Sequence, residues 1–290
     1  MKPHIFEGAS VEQVMRDVGP LAEVYHECGA LAFPGLLRDD PLFLAYLHDL
    51  EDLARTLLCE VRSTGVEDLD LADSITALAA ADRPSVGRIF DLGTRPAKLM
   101  SGQSLKLHPL LTALTSAAFG PGALIASPSQ SDTLHLFPPG QANWRYNSPL
   151  HQDYPYLLQS PRQITFWINF GRYIPEVGGV TYWPGSHKLG VRKQRKGEFG
   201  TLVAAVEESE LSAHEQQDHF ADVGDVLVMN SLVLHRSIKN QTTDGSRIVQ
   251  LFRYSDLRHP QAVQLRWVSA EFQNGGAAFA AAHPDLVVAD

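Results

Sequence analysis

His151-Gln152-Asp153, inside the longer stretch from Ser148 to His187, decides how the rest of the chain is read. In an extended strand, residues two apart point to the same face, so His151 and Asp153 can aim an imidazole and a carboxylate at one point. A third ligand has to come from elsewhere. His235 offers it, in Val233-Leu234-His235-Arg236-Ser237 just after the apolar run Val226-Leu227-Val228-Met229. Two histidines and one carboxylate on one side of a metal form the facial set that suits non-haem Fe(II) and leaves positions open for a cosubstrate and oxygen. By itself a His-x-Asp spacing says little, because it often arises by chance.

The surroundings carry more. Arg247 lies twelve residues after His235, at the head of Ile248-Val249-Gln250-Leu251-Phe252. There a buried guanidinium can grip a carboxylate through two hydrogen bonds. Gly178-Gly179-Val180, Trp183-Pro184-Gly185-Ser186-His187-Lys188 and Gly224-Asp225-Val226 lie between the two halves, and Ser237 follows His235 by two.

In that order these motifs resemble the phytanoyl-CoA dioxygenase family of Fe(II) and 2-oxoglutarate oxygenases, over Thr133 to Tyr254, about half the chain. Several ordered motifs are far more specific than any one of them. The resemblance implies that His151, Asp153 and His235 bind the iron and that 2-oxoglutarate chelates it. The cosubstrate's distal carboxylate would then meet Arg247 and Ser237, and O2 would take the remaining position. It further implies oxidative decarboxylation to succinate and CO2, coupled to hydroxylation of a substrate C–H. Halogenating relatives replace the carboxylate ligand by a small residue; Asp153 is intact, which favours hydroxylation, or a desaturation or epoxidation sharing its first steps.

Other positions are less sharply defined. Arg236 and Arg253 compete with Arg247 for the carboxylate, and Arg253 shares its strand parity. Thr133 and His135 share one face of the strand before the iron pair, a place from which related enzymes contact 2-oxoglutarate; a packed core histidine is an equal reading of His135. Tyr154 and Tyr156 follow Asp153 and are candidates for substrate contact, with core or rim aromatics as the alternative. Trp167 and Trp183 read as core, and His187 as structural. Lys188, Arg192, Lys193, Arg195 and Lys196 place five cations in nine residues. Such runs are usually solvated loops, but this one could also gather an anionic substrate such as a carboxylate, phosphate, phosphonate or CoA ester. Val177, before the paired glycines, and Phe137 depart from the family pattern, so the substrate does not transfer with the triad.

The fold expected is mainly β with α: a double-stranded β-helix (jelly roll, cupin-like) core buttressed by N-terminal helices. Ser10-Val11-Glu12-Gln13 has the form of a capping box opening a helix that ends near Gly29. A short strand follows in Ala30 to Leu37. Asp40-Pro41 then starts a helix with an apolar stripe through Phe43, Tyr46, Leu50, Ala54 and Leu57. Leu69 to Ala80, Ser85 to Met100 and His108 to Ala118 also read as helical. From Ala123 onward short apolar runs alternate with Pro, Gly, Asn and Ser, the mark of a sandwich or barrel. The expected strands are Ala123 to Ala126, Thr133 to Phe137, Gln163 to Phe170, Val180 to Trp183, Gly200 to Val206, Val226 to Met229, Arg247 to Tyr254 and Ala262 to Trp267. The division expected is one oxygenase domain, with a helical buttress (1–120), the core (121–258) and a C-terminal extension (259–290) that is either a lid or a loosely held end.

Composition narrows the class. At 44% hydrophobic and 20% charged residues the chain has apolar mass for a sizeable core. The net charge of −9 argues against general nucleic-acid binding, which needs a basic surface. No run approaches a membrane span and the first residues lack an apolar signal core. Cys28 and Cys59 alone make a disulfide framework improbable, and reduced thiols suit a cytoplasmic protein handling ferrous iron. The partner expected is a compact anionic or zwitterionic small molecule, with the protein a monomer or homodimer. Two readings from other classes stand beside the oxygenase: a Zn or Mn hydrolase or isomerase on a cupin-like barrel, and a non-catalytic ligand-binding module. Dependence on 2-oxoglutarate separates the first, and absence of turnover the second.

Overall fold

The computed structural model describes residues 4–61, 69–81, 96–127, 132–137, 148–197, 202–243, 245–268 and 275–288. The capping box at Ser10 is formed, with Gln13 N donating to Ser10 Oγ at 3.3 Å and Ser10 N to Gln13 Oε1 at 2.8 Å. The single helix expected from there is two, α1 (Val11–Arg16) and α2 (Val18–Cys28), which part at Asp17. Pro20 supplies the reason: it lacks the N–H, and its ring meets the carbonyl four residues back, so the helix has to restart. Gly29 ends α2 in the left-handed conformation, φ 72°, and leads into β1 (Ala30–Phe33). In α3 (Pro41–Val61) Asp40 Oδ1 accepts from Leu42 N and Phe43 N, and Phe43, Tyr46, Leu50, Ala54 and Leu58 form the buried stripe. Helices α4 (Leu71–Ala81), α5 (Met100–Lys106) and α6 (Pro109–Phe119) complete this layer. Of the helix expected over Ser85 to Met100, residues 82–95 lie outside the described residues, and Pro96–Lys98 is a 3-10 turn leading to α5.

The second half holds β2 (Ile125–Ala126), β3 (Thr133–Phe137), α7 (Tyr154–Leu157), β4 (Gln163–Asn169), β5 (Gly179–Tyr182), β6 (Gln194–Lys196), β7 (Leu202–Ala204), α8 (Glu208–Ser212), β8 (Gln217–His219), β9 (Val226–Asn230), β10 (His235–Ile238), β11 (Arg247–Asp256), α9 (Pro260–Gln264) and α10 (Gly275–Ala282). Among the described residues the major sheet runs β1-β9-β4-β11-β2, with β3 also on β11. The minor sheet runs β10-β5-β8, β6 pairs with β7, and neighbouring strands are antiparallel throughout.

Strands β4, β9 and β11 alternate in destination rather than in polarity. One face of the major sheet, with Phe166, Ile168, Val226, Val228, Ile248 and Phe252, packs into the core made with the helices. The other face, with Trp167, Leu227, Met229, Val249 and Leu251, meets Val180 and Tyr182 of the minor sheet. Both faces are covered, which is why these strands read as nearly continuous apolar runs. The sheets therefore enclose an interior, and the helices close the major sheet from outside.

Residues 262–267 are not a strand. Pro260 opens α9 at its first turn, and Arg266 and Trp267 follow with φ of 52° and 53°. Among the described residues of the C-terminal piece, α10 packs on α7, with Ala278 and Phe279 buried beside Tyr154 and Leu158. No helix among the described residues is long and apolar enough to cross a membrane.

Candidate metal centre

His151 and His235 face each other as an isolated antiparallel bridge. His151 N donates to His235 O at 2.9 Å and His235 N to His151 O at 3.1 Å, which brings the ring centroids to 4.1 Å. Each ring is fixed at its inner nitrogen: His151 Nδ1 donates to Pro149 O at 2.7 Å, and His235 Nδ1 to Val233 O at 3.0 Å. A carbonyl can only accept, so the proton sits on Nδ1 and both Nε2 atoms present lone pairs.

Asp153 arrives differently from what the two-residue spacing suggests. It is not in a strand; it caps the one-turn helix α7 with helical angles, φ −67° and ψ −38°. Its Oδ1 nevertheless lies 3.9 Å from His151 Nε2 and 3.8 Å from His235 Nε2. The three ligand atoms fall within 4.8 Å of one another, and all three residues are buried. Two lone-pair imidazoles and one carboxylate oxygen converging in a buried site fit a divalent cation.

Electrostatics prepare this set. Burial pushes the His151 imidazole down to about 3, with His235 adding to the effect, so it stands neutral as a ligand must. Burial alone would raise Asp153, but the Arg253 guanidinium, backed by the Thr165 hydroxyl, outweighs it and holds the carboxyl well below the usual carboxylate range.

The cavity at this site is lined along β11 by alternate residues, Arg247, Val249, Leu251 and Arg253. Arg247 stands toward one end, where Nη1 donates to Gly179 O at 2.6 Å and Ile238 O at 2.9 Å; burial lowers its guanidinium to about 9. Ser237 lines the same cavity from β10, anchored by its N–H to Ser148 O at 3.0 Å. Arg253, the rival of equal parity, also faces inward, but its Nε donates to Asp153 Oδ2 at 3.3 Å. Arg236 is out of contention, exposed and stacked over Trp183.

His135 lines the cavity opposite Val249, and its Nε2 is hydrogen-bonded to Thr133 Oγ1 at 2.7 Å. Thr133 itself is not among the lining residues. Tyr154 turns away: its hydroxyl is hydrogen-bonded to His283 Nε2 at 2.9 Å and its ring is buried against Leu158 and Phe279. That placement replaces the expected substrate contact with a brace to the C-terminal helix. Tyr156 packs edge-on to His151 and bonds the backbone of Leu202 through its hydroxyl, so it supports a ligand from behind. Trp167 belongs both to the core between the sheets and to the cavity wall. His187 donates to or accepts nothing in the cavity; its Nε2 meets His26 O. In the basic run, Arg192 forms a two-oxygen pair with Glu210, while Lys188, Lys193, Arg195 and Lys196 are exposed. None of the five lines the metal cavity.

Two residues escaped sequence reasoning. Gln152 is fully buried and points opposite to its neighbours, donating through Nε2 to Gly190 O and Leu232 O and accepting from Arg192 N. Thr165 donates to Asp153 Oδ2 at 2.7 Å. Strand parity with Trp167 is the one signal that pointed Thr165 inward.

Three side chains that could hold a metal ion, in a cavity lined by two facing antiparallel sheets, are the arrangement of a cupin-type fold. A family model described as Phytanoyl-CoA dioxygenase (PhyH) matches residues 47–249, and the chain belongs to that family. Among curated relatives it is similar to a 1-deoxypentalenic acid 11-beta-hydroxylase of Streptomyces arenae, 29% identical over 144 residues, 47% of this chain and 50% of that one. It is also similar to the Streptomyces exfoliatus protein of the same name, 32% identical over 118 residues, 38% and 42% of the two chains. The chain thus spans about half the length of the curated relatives it matches. Among solved structures it resembles the epimerase SnoN, in complex with Fe3+, alpha ketoglutarate and nogalamycin RO, at 19% identity, 83% and 84% coverage and a TM-score of 0.55. The carbocyclase SnoK from nogalamycin biosynthesis follows at 18% identity, 86% coverage of both chains and a TM-score of 0.52. At these identities what is shared is the fold.

Proposed function

We propose that the chain is an Fe(II)- and 2-oxoglutarate-dependent oxygenase that hydroxylates a C–H of a small anionic or zwitterionic metabolite, with release of succinate and CO2. The observation that carries this reading is the pairing of two ends in one cavity: His151, Asp153 and His235 converge near Arg253, and buried Arg247 stands six residues up the same strand face.

Iron with 2-oxoglutarate and O2 supplies the oxidising chemistry; the chain supplies place and surroundings. His151 and His235 offer their Nε2 atoms and Asp153 an ionised oxygen. Arg247, with Ser237 beside it, binds the distal carboxylate of the cosubstrate. Burial makes that guanidinium costly to keep charged, and an arriving carboxylate offsets the cost through two charge-assisted hydrogen bonds. Val180, Met229, Val249, Leu251 and Trp167 give the cavity apolar walls that keep water from the reacting centre. Asp153 in place of a small residue favours hydroxylation over halogenation. The curated relatives are named for hydroxylating a carboxylic acid, which supports an anionic substrate here. A cytoplasmic site of action fits free Cys28 and Cys59.

Anaerobically purified protein given Fe(II), 2-oxoglutarate and then oxygen should form succinate, faster when a pooled fraction of small organic acids is added. Asp153→Ala should reduce this to background. Arg247→Ala should raise the 2-oxoglutarate KM by about 10- to 100-fold, the worth of hydrogen bonds to a charged group. No succinate from protein with a fully loaded metal site would overturn the proposal and bring the hydrolase or isomerase reading forward.

A further inference from the structure

Asp153 has one oxygen already taken. Its Oδ2 accepts from Thr165 Oγ1 at 2.7 Å and from Arg253 Nε at 3.3 Å, while Oδ1 faces the two histidine Nε2 atoms. Thr165 and Arg253 are direct partners in the β4–β11 register, so both donors stand on adjacent strands of the major sheet. All three residues are buried. Asp153 itself caps a single helical turn, and Leu158 and Gln159 beyond it adopt φ of 58° and 63°. No strand orients its carboxylate; these two donors do.

We infer that Arg253 is a positioning residue for Asp153: together with Thr165 it occupies Oδ2 and leaves Oδ1 alone to meet the metal. The inference rests on the metal-centre reading above. A carboxylate can bind a cation through one oxygen or through both. Binding through both would consume a position that cosubstrate or oxygen needs. A charge-assisted N–H on Oδ2, backed by a hydroxyl at 2.7 Å, competes with that second bond and fixes the plane of the carboxylate. Arg247 provides the internal contrast. It is buried on the same face of the same strand, but its Nη1 donates to the carbonyls of Gly179 and Ile238.

The test is an anaerobic titration of the full chain with Co(II), read by visible absorption, which reports both affinity and coordination. Arg253→Gln should weaken Co(II) binding by about 10- to 100-fold, the usual effect of losing a partner behind a ligand, and should change the absorption bands. Arg253→Lys restores the charge without the planar fork, so its affinity should lie between those of wild type and Arg253→Gln, with bands still altered. Thr165→Val should move both readouts in the same direction, and Arg247→Gln should leave them unchanged. A folded Arg253→Gln protein with wild-type affinity and bands overturns the inference, as does an equal loss in Arg247→Gln. Should Arg253→Gln not fold, Arg253→Lys decides, and affinity and bands identical to wild type overturn it. A wild-type chain that binds no Co(II) overturns the metal-centre reading and this inference with it, whereas tight wild-type binding with unmoved variants overturns the inference alone.

Discussion

His135 and His219 are histidines that the fold keeps uncharged. Burial pushes His135 down to about 3, with Arg253 and Arg247 adding to it against the pull of Asp153. Burial alone takes His219, packed edge-on to Trp167, down to about 4. In the unfolded chain both would take up a proton near the ordinary value of about 6.5. Their folded values are depressed, so stability is intact above about pH 6.5. It falls as the pH drops toward the folded values, by about 1.4 kcal/mol per pH unit for each histidine. Asp132 and Asp225, raised by burial, work in the opposite sense. Urea unfolding of the metal-free protein at about pH 7, 6 and 5 should therefore show a steady loss, and His219→Gln should remove about 1.4 kcal/mol per unit from its slope; an unchanged slope would show that His219 titrates alike in both states. The structure brings His151, Asp153 and His235 together and lines their cavity with Arg247, a grouping that was legible where chemistry and spacing agree locally. The partners of Asp153 were not, because Thr165 and Arg253 meet only through cross-strand register. Tyr154 stayed open between substrate contact and core for a related reason: adjacency to Asp153 says nothing of direction once α7 turns the chain.

Strand β5 shows why glycine is required at a strand that touches two neighbours. A Cβ on Gly179 would come within 2.1 Å of His219 O in β8, and one on Gly178, at φ +83°, within 2.2 Å of Ile238 O in β10. The carbonyl of Gly179 is also the acceptor that holds Arg247. Gly179→Ala should push β5 away from β8 and carry that acceptor with it. The expected outcome is a loss of about 1–3 kcal/mol in stability, the range for overpacked interiors, together with weaker 2-oxoglutarate binding at unchanged metal affinity. Chemical denaturation and 2-oxoglutarate titration of the Mn(II)-loaded protein measure the two effects, and a variant with wild-type values for both would show that β5 has room to shift. Strands rich in apolar residues, such as β4, β9 and β11, were legible because burial on both faces leaves a continuous signal. Strands β6, β8 and β10 were not: Gln-Arg-Lys, Gln-Asp-His and His-Arg-Ser-Ile carry polar residues toward solvent, cavity or metal, and their pairing comes from neighbours. The run from Ala262 to Trp267 gave the reverse error, since Pro260 starts a helix there whatever the alternation that follows.

Taken as a whole, the molecule holds the loop that carries His151 and Asp153 from both sides. The major sheet supplies Thr165 and Arg253 from within, and the C-terminal segment closes on the loop from without. Tyr154 is hydrogen-bonded to His283, Gln159 N donates to Val268 O at 2.7 Å, and Val288 N donates to Gln194 O at 2.8 Å in β6. Phe279, fully buried beside Tyr154 and Leu158, fills the space between. Leu158 and Gln159, with positive φ, are strained for residues with a side chain, at roughly 1–3 kcal/mol each, and such strain lasts only where the surroundings over-determine it. From sequence the tail beyond Trp267 carried no pattern that fixed its place, because its role lies in contacts with residues roughly a hundred positions away. The strap predicts a coupling between a remote core residue and the metal. Phe279→Ala should cost about 3–5 kcal/mol, as for other buried phenylalanines. By releasing α7 it should also weaken Co(II) binding, even under conditions where the variant remains fully folded. Denaturation and metal titration of the same sample separate the two effects. Loss of stability with unchanged metal affinity would mean that the sheet alone fixes Asp153, and that the C-terminal segment contributes to the fold without reaching the site.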